Sequence, residues 1–263
     1  MHTRFLKHSK KNTVGRILVA AVFGLIASSA TFAAPESVAA PASGQAMAPA
    51  GSAKVTASTI ALSSQPKLVV DDFEGSEIKN KMDNRANVFI KAPSKAMVSR
   101  REETIEGRRT KVLLLRYEKQ NQGGPYDSGG WCGYYTLLKS PGALVAPTPE
   151  NPNPGPVEEQ FLDATDYKAV TFWVRGENGD ENFVVGVSDR HWDRVGDSVK
   201  SQEIGKYLPK GKITKEWQKA TIPLDEFFID HSQLAAISIV FEGDLFTDAG
   251  HAGTVYLDDL SLE

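Results

Sequence analysis

Residues 168–176 read KAVTFWVRG, and this stretch decides the fold class. Its apolar residues Val170, Phe172 and Val174 are separated by single residues of a different kind. Successive side chains of a β-strand point to opposite faces, so this alternation places the three on one face. The stretch therefore predicts a β-strand with one buried face.

The same strand-like pattern recurs on both sides of this stretch. Turn sequences rich in glycine, asparagine and proline separate the segments, and no helical repeat extends beyond a short turn within 224–235. A series of short strands without long helices favours an all-β sandwich of antiparallel strands. The predicted strands lie at 67–74, 110–118, 131–138, 168–176, 182–189, 216–224, 235–243 and 253–262, with weaker candidates near 87–91 and 96–101.

Residues 1–33 have the composition of a secretory signal peptide. Five basic residues and no acidic residue lie in 1–16, and the apolar run ILVAAVFGLIA follows at 17–27 before a small-residue end. This run is shorter than the ~20 residues with which a helix crosses a bilayer. We therefore predict cleavage after Ala33, a mature chain without a membrane span, and a secreted, periplasmic or cell-envelope location. An uncleaved anchor is the alternative.

Residues 34–66 are predicted to be a disordered linker, and residues 67–263 the folded domain. In the linker, 24 of 33 residues are Ala, Pro, Ser, Gly or Thr and none is aromatic, so it lacks the apolar area that folding requires. Without the five bases of the signal peptide, 25 of the 30 basic residues remain against 33 acidic ones, a formal charge of −8 that disfavours nucleic acid as a partner. The single cysteine, Cys132, is predicted to be a buried thiol.

Several short motifs occur in an order that points to a known family. VVDDFEG at 69–75 opens the domain and GTVYLDDLSLE at 253–263 closes it, with EWQKATIPLDEF at 216–227 and LAAISIVFEG at 234–243 between them. In this order they resemble carbohydrate-binding modules with a galactose-binding-like jelly roll, most nearly those of family eleven, and the complex I intermediate-associated proteins share the skeleton. The resemblance implies a jelly-roll β-sandwich of two antiparallel sheets whose first and last strands are neighbours.

The resemblance also implies a structural metal. With the terminal strands adjacent, Asp72 and Glu74 would approach Asp258, and crowded carboxylates repel one another unless a cation joins them. Calcium takes six to eight oxygen ligands from carboxylates and carbonyls. We therefore predict a structural calcium ion held by Asp72, Glu74 and Asp258. The alternative is that these acids are solvated strand ends or accept hydrogen bonds from backbone N–H groups.

The stretch YDSGGWCGYY at 126–135 is the first candidate ligand surface. Aromatic rings stack on the C–H faces of sugars, and polar side chains form hydrogen bonds with the hydroxyl groups. Tyr126, Trp131 and Tyr135 are therefore predicted contacts. The alternative is that the rings of this stretch pack against the proline-rich segment 140–156.

A second candidate surface is the stretch SDRHWDRVGDSV at 188–199, where aromatic and charged residues follow a strand. Such a set could clasp a sugar, or it could be a salt-bridged loop that holds its neighbours. Trp173 is a further candidate because it alternates away from Phe172 and faces either solvent or the second sheet. The predicted ligand-binding residues are Tyr126, Trp131, Tyr135, Trp173, Asp189, Arg190, His191 and Trp192.

We predict a secreted, non-catalytic protein that binds a polysaccharide or an oligosaccharide through ring stacking and a polar rim. The sequence has no G-x-S-x-G, H-E-x-x-H or phosphate-binding loop. Two alternatives stay open: a glycoside hydrolase that uses carboxylates such as Glu158, Glu159 and Asp163 or Asp189, and an assembly protein whose rings bind another envelope protein.

Overall fold

The structure is a computed structural model, and it describes residues 66–75, 78–142, 148–150, 152, 158–242, 245–246 and 248–263. The predicted signal peptide and all of the predicted linker except Pro66 lie outside the described residues, so both stay predictions. The strands are β1 Leu68–Asp71, β2 Ala86–Ile90, β3 Lys95–Ile105, β4 Arg108–Gln120, β5 Cys132–Leu137, β6 Ala169–Gly176, β7 Val184–Asp189, β8 Val199–Glu203, β9 Gln218–Pro223, β10 Leu234–Phe241 and β11 Gly250–Leu262. A short α-helix, α1, spans Arg190–Val195.

The strands form two antiparallel sheets. The first sheet has the order β3-β4-β11-β6-β9, with β1 paired to the far end of β11, and the second has the order β2-β5-β10-β7-β8. The predicted all-β jelly-roll sandwich is confirmed. At the seam of the domain, Leu68 of β1 lies opposite Leu262 of β11, and Lys67 forms an ion pair of 3.2 Å with Glu263. The first and last strands are thus neighbours, as the resemblance implied.

The inner faces of the two sheets form the core. Val170, Phe172 and Val174 of β6 are at most 1% exposed, which is the buried face that their alternation predicts. Tyr117 of β4 stacks on Phe241 of β10 with 3.7 Å between ring centroids and so joins the two layers. Burial of a large apolar side chain stabilises a fold by roughly 1.5–3 kcal/mol, so this core accounts for stability without a disulfide.

Cys132 lies in this core and is fully buried, as predicted. Burial raises the pKa of its thiol to about 11, so the reactive thiolate is scarce at neutral pH.

The structure also contains elements that the periodicity did not predict. Helix α1 and strand β8 occupy the polar-aromatic stretch after β7, while 3-10 turns at Leu224–Glu226 and His231–Gln233 correspond to the short helical turn expected there. Within the described ranges, no helix is both long and apolar enough to cross a bilayer.

Candidate functional site

A cleft of about 540 Å³ runs over the outer face of the second sheet. Its floor follows from strand register: Tyr135 of β5 lies opposite Ser238 of β10, Ser238 lies opposite Gly186 of β7, and Gly186 lies opposite Lys200 of β8. Alternate residues of each strand therefore reach the same surface. We call this surface the cleft; its lining is Phe89, Trp131, Tyr135, Leu137, Ser188, Asp193, Gly196, Asp197, Ser198, Lys200, Ala236, Ser238, Val240 and Glu242.

Trp131 is the most exposed aromatic ring of the cleft. It immediately precedes β5, is 44% exposed, and holds its backbone in place through a 2.7 Å hydrogen bond that its carbonyl accepts from the N–H of Lys91. The ammonium group of Lys91 lies 3.8 Å from the centroid of the indole, a cation–π contact that fixes the ring plane. Trp131 also borders a neighbouring hollow of about 700 Å³, so the cleft continues past the ring.

The cleft is long enough for several sugar units. Trp131 and Leu137 lie at its two ends along β5, six residues apart, which corresponds to about 20 Å of strand. Tyr135 lies between them and is partly exposed, and Phe89 lines the adjacent strand. Apolar rings therefore alternate with the small hydroxyl side chains of the floor, which is the combination that the C–H faces and hydroxyl groups of a sugar require.

Two lysines balance the acidic rim of the cleft. Lys200 binds Asp197 at 2.9 Å and Glu242 at 3.3 Å, and Lys139 binds Asp193 at 2.6 Å and Glu159. Burial lowers the pKa of Lys200, but the hydrogen bond from Asp197 and the charge of Glu242 outweigh it, so the pKa is raised overall. Both lysines stay charged at neutral pH, and the rim presents paired charges with remaining hydrogen-bonding capacity.

Helix α1 explains the fate of the predicted cluster after β7. Asp189 is its N-cap: one carboxylate oxygen accepts the N–H groups of His191 and Trp192, both at 2.9 Å, and the other accepts the N–H of Asp230. Because Asp189 is only 6% exposed and its oxygens bind backbone donors, its position is structural. The helix brings Asp193, which sequence reasoning did not single out, to the cleft.

The other predicted contacts of α1 lie outside the cleft. Arg190 approaches Glu158 at 3.6 Å and Gln233 at 3.4 Å, and the rings of His191 and Trp192 meet edge to face at 5.7 Å. None of the three lines the cleft, so the structural-loop interpretation describes them better than the ligand-clasp interpretation.

Tyr126 and Trp173 also lie elsewhere. Tyr126 is 100% exposed in the turn Pro125–Asp127 and does not line the cleft. Trp173 belongs to the first sheet, where it packs with Tyr256 and Trp217 on the outer face, across the sandwich from the cleft. Of the predicted rings, the structure therefore brings only Trp131 and Tyr135 together in the cleft.

Small residues at alternate positions of β10 were the signal that sequence reasoning missed. Ala236, Ser238 and Val240 face the cleft, while Ile237 and Ile239 face the core. An outward row of small side chains leaves room above a sheet, and this pattern can be read from the printed sequence.

The acidic seam between β1 and β11 is occupied by cationic and hydroxyl side chains. Asp72 binds Lys81 at 3.0 Å, and Glu74 accepts hydrogen bonds from the Thr110 hydroxyl at 2.7 Å and the Lys111 N–H at 3.0 Å. Glu74 and Asp258 therefore meet at Thr110, whereas Asp72 is bound separately. Among the described residues, no three His, Cys, Asp or Glu side chains are grouped to hold a metal.

Asp258 is the one carboxylate of the seam with spare capacity. It is fully buried; one oxygen lies 3.3 Å from Arg108 and 3.2 Å from Thr110, while the other has no hydrogen-bond partner. Burial, together with the neighbouring charge of Asp259, raises its pKa to about 6. The three predicted ligands thus do not form a calcium site as they are placed, and the calcium ion stays a prediction.

Comparisons with known proteins agree with this geometry. Residues 157–263 match the family model of Carbohydrate binding domain 30, which covers less than half of the chain. A comparison with curated proteins gives no match.

Solved structures of two module families are similar at low sequence identity. The family 11 module of the cellulosomal cellulase Lic26A-Cel5E of Clostridium thermocellum is 13% identical, with 76% of this chain and 95% of that chain covered and a TM-score of 0.47. A family 11 module of the same organism, in complex with a beta-1,3-1,4-mixed-linked tetrasaccharide, is also 13% identical, with 74% and 94% covered and a TM-score of 0.47. A family 30 module is 19% identical, with 73% and 86% covered and a TM-score of 0.43. The predicted resemblance to carbohydrate-binding modules is confirmed, and the match over residues 157–263 is to family 30.

Proposed function

We propose that the protein is an exported, non-catalytic carbohydrate-binding protein and that the cleft binds a polysaccharide or oligosaccharide. The observation that supports this most is the partly exposed Trp131 at one end of a cleft whose floor contains Tyr135 and Ser238. The ring offers a stacking surface, and the hydroxyl groups and paired charges offer hydrogen bonds to a sugar. The family-model match over residues 157–263 supports the same class of ligand.

The alternative hydrolase function lacks a suitable pair of carboxylates. A glycosidase needs one carboxyl group with a raised pKa to protonate the leaving group. Hydrogen bonds from Thr165 instead lower the pKa of Asp163, and Asp189 binds three backbone N–H groups. Glu159 is paired with Lys139, and Glu158 is an exposed residue near Arg190.

Glycan retention tests the proposed function directly. In affinity electrophoresis through gels that contain soluble polysaccharides, including mixed-linked β-1,3-1,4-glucan, we expect at least one glycan to slow the native protein. Trp131→Ala should weaken that binding at least tenfold, about 1.4 kcal/mol, because it removes the stacking surface.

Trp173→Ala is the matched control, since it removes an indole from the opposite face of the sandwich and should leave retention unchanged. The proposal is wrong if no glycan retards the protein, or if both variants bind as the native protein does. New reducing ends in the incubated glycan would favour a hydrolase, and capture of an envelope protein without any glycan would favour an assembly role.

A further inference from the structure

A second hollow lies next to the cleft at the edge of the sandwich. It measures about 870 Å³ and is bordered by the segment before β2, by β3 and by the end of β5. Leu137 lines both the hollow and the cleft, so the two are continuous along β5. The polar side chains that decide its chemistry are Lys79, Asp83, Asn84, Arg85, Arg100 and Lys139.

Charge pairing leaves this hollow with a positive excess. Lys79 pairs with Asp83 at 2.7 Å, and Lys139 pairs with the two acids described above, Glu159 and Asp193. Arg85 is exposed and forms no ion pair with any residue that the structure describes. Its guanidinium group is therefore a cation without an acidic partner at the junction with the cleft.

Two buried hydrogen-bond donors of the same hollow lack acceptors. Asn84 is 5% exposed, yet its side-chain Nδ2 has no partner among the described residues, and the same holds for the buried Nε of Arg100. Unpaired buried donors are costly, and each can be satisfied by an acceptor on a ligand. The charge of Arg100 is partly offset by the buried carboxylate of Asp71.

Apolar side chains complete the walls of the hollow. Ile78 is 55% exposed, and Pro141 and Leu137 lie on the same lining. These surfaces suit the C–H groups of a sugar ring, while the donors suit a carboxylate. Arginine binds carboxylates through two parallel N–H···O bonds, which gives both affinity and geometric selectivity.

We propose that this hollow is an anion-binding subsite that receives an acidic sugar unit of the glycan in the cleft. The unit is one whose ring carries a carboxylate, and Arg85 with Asn84 recognises that group. This inference rests on the proposed function, because the rest of the glycan lies in the cleft. It adds a charge preference that a cleft with paired rim charges does not provide by itself.

The test compares two oligosaccharides that differ only in charge. A β-linked gluco-oligosaccharide and the same molecule with one C6 oxidised to a carboxylate are titrated into the full-length protein by calorimetry. We expect the oxidised form to bind at least tenfold more tightly in low salt, with a smaller preference as salt screens the contact. Arg85→Gln should abolish the preference and leave binding of the neutral form unchanged.

Arg116→Gln is the matched control, because Arg116 is also exposed and forms no ion pair with a described residue, but lies on β4 of the first sheet. It should keep the preference. Equal binding of the two forms by the native protein, or equal loss of both with Arg85→Gln, would overturn the subsite.

Further arms separate this subsite from the cleft and from other anions. Glucuronate should compete with the oxidised oligosaccharide more strongly than inorganic phosphate or oligoglutamate; stronger competition by phosphate or by the acidic peptide would overturn the assignment to a sugar. If the neutral form does not bind but the oxidised form binds through Arg85, the subsite stands and the proposed cleft fails. If the neutral form binds through Trp131 without any charge preference, the cleft stands and the subsite fails.

Discussion

Gly133 lies in the cleft floor between Phe89 of β2 and Val240 of β10. A Cβ atom at this position would stand 2.6 Å from the Phe89 ring and would collide with the backbone carbonyl of Ile239. Because the second obstacle is backbone, the strands themselves would have to separate. The absence of a side chain thus lets β2, β5 and β10 pack closely under the ligand.

We expect Gly133→Ala to lower the free energy of unfolding by about 1–3 kcal/mol, the usual cost of overpacking. Urea denaturation followed by tryptophan fluorescence measures this change. Gly75→Ala is the control, since no atom lies within 4 Å of a Cβ at Gly75. Equal stability of the two variants would show that the sheet accommodates the methyl group.

At the level of elements, α1 is the one helix among the described residues, and it depends on its first residue contacts. Asp189 caps it, and Gly196 ends it in the left-handed region with φ of 80°. The helix is only six residues long, too short to be stable by itself. Its position beside the cleft therefore relies on the Asp189 carboxylate, which also holds the turn at Asp230.

Asp189→Ala should lower the melting temperature by about 5 °C, because loss of an N-cap costs roughly 1–2 kcal/mol. It should also weaken glycan binding, since Asp193 would no longer be held at the cleft. Thermal unfolding and the retention assay measure the two effects. Asp193→Asn is the companion variant: we expect weaker binding with a nearly unchanged melting temperature, and a large loss of stability there would contradict this division of roles.

The strands could be predicted from the sequence because their patterns are local. Alternation in β6 and the apolar runs of β4 and β10 depend only on neighbouring residues, and the structure places these strands within a few residues of the predicted bounds. Helix α1 could not be predicted in the same way. Its six residues are too few for a helical repeat, and its polar-aromatic composition is equally typical of a loop.

The candidate site was predicted only in part, for a related reason. Trp131 and Tyr135 share the outward face of one strand, so local alternation was sufficient to group them. Trp173 shows the same alternation, but which sheet a strand joins depends on long-range pairing that one sequence does not reveal. Arg85 was missed because an isolated arginine before a weak strand has no local signal of function.

At the level of the whole molecule, the seam brings the two ends of the domain together through charges. Arg108 of β4 lies 3.3 Å from buried Asp258 and 2.8 Å from Asp259. Loss of one partner of a buried charge leaves the other unpaired, which is usually more costly than loss of a surface pair. The three strands β1, β4 and β11 are thus joined at one point by a single guanidinium group and the Thr110 hydroxyl.

We expect Arg108→Gln to lower the free energy of unfolding by about 1–2 kcal/mol, whereas Arg109→Gln, which loses only an exposed pair with Glu102, should change it by less than about 0.5 kcal/mol. Differential scanning fluorimetry of both variants provides the comparison. Equal effects would show that the Arg108 contact contributes no more than a surface pair.

The same experiment tests the calcium predicted from the sequence. Because cationic side chains already bind these acids, we expect EDTA to leave the melting temperature of the native protein unchanged. A fall of several degrees with EDTA that is reversed by added calcium would instead support the metal and would require Asp72 or a backbone carbonyl to turn toward Asp258.

The pairing of Leu68 with Leu262 has a mechanical consequence. Both ends of the domain leave from the same end of an antiparallel pair, so tension between residues 67 and 263 acts across the strands and opens their hydrogen bonds one after another. Strand β11 stays flanked by β4 and β6 during this process, whereas β1 has only β11 as a partner. A stretched chain should therefore first peel off its opening strand at low force, which lengthens the tether while the sheet that bears the cleft remains folded.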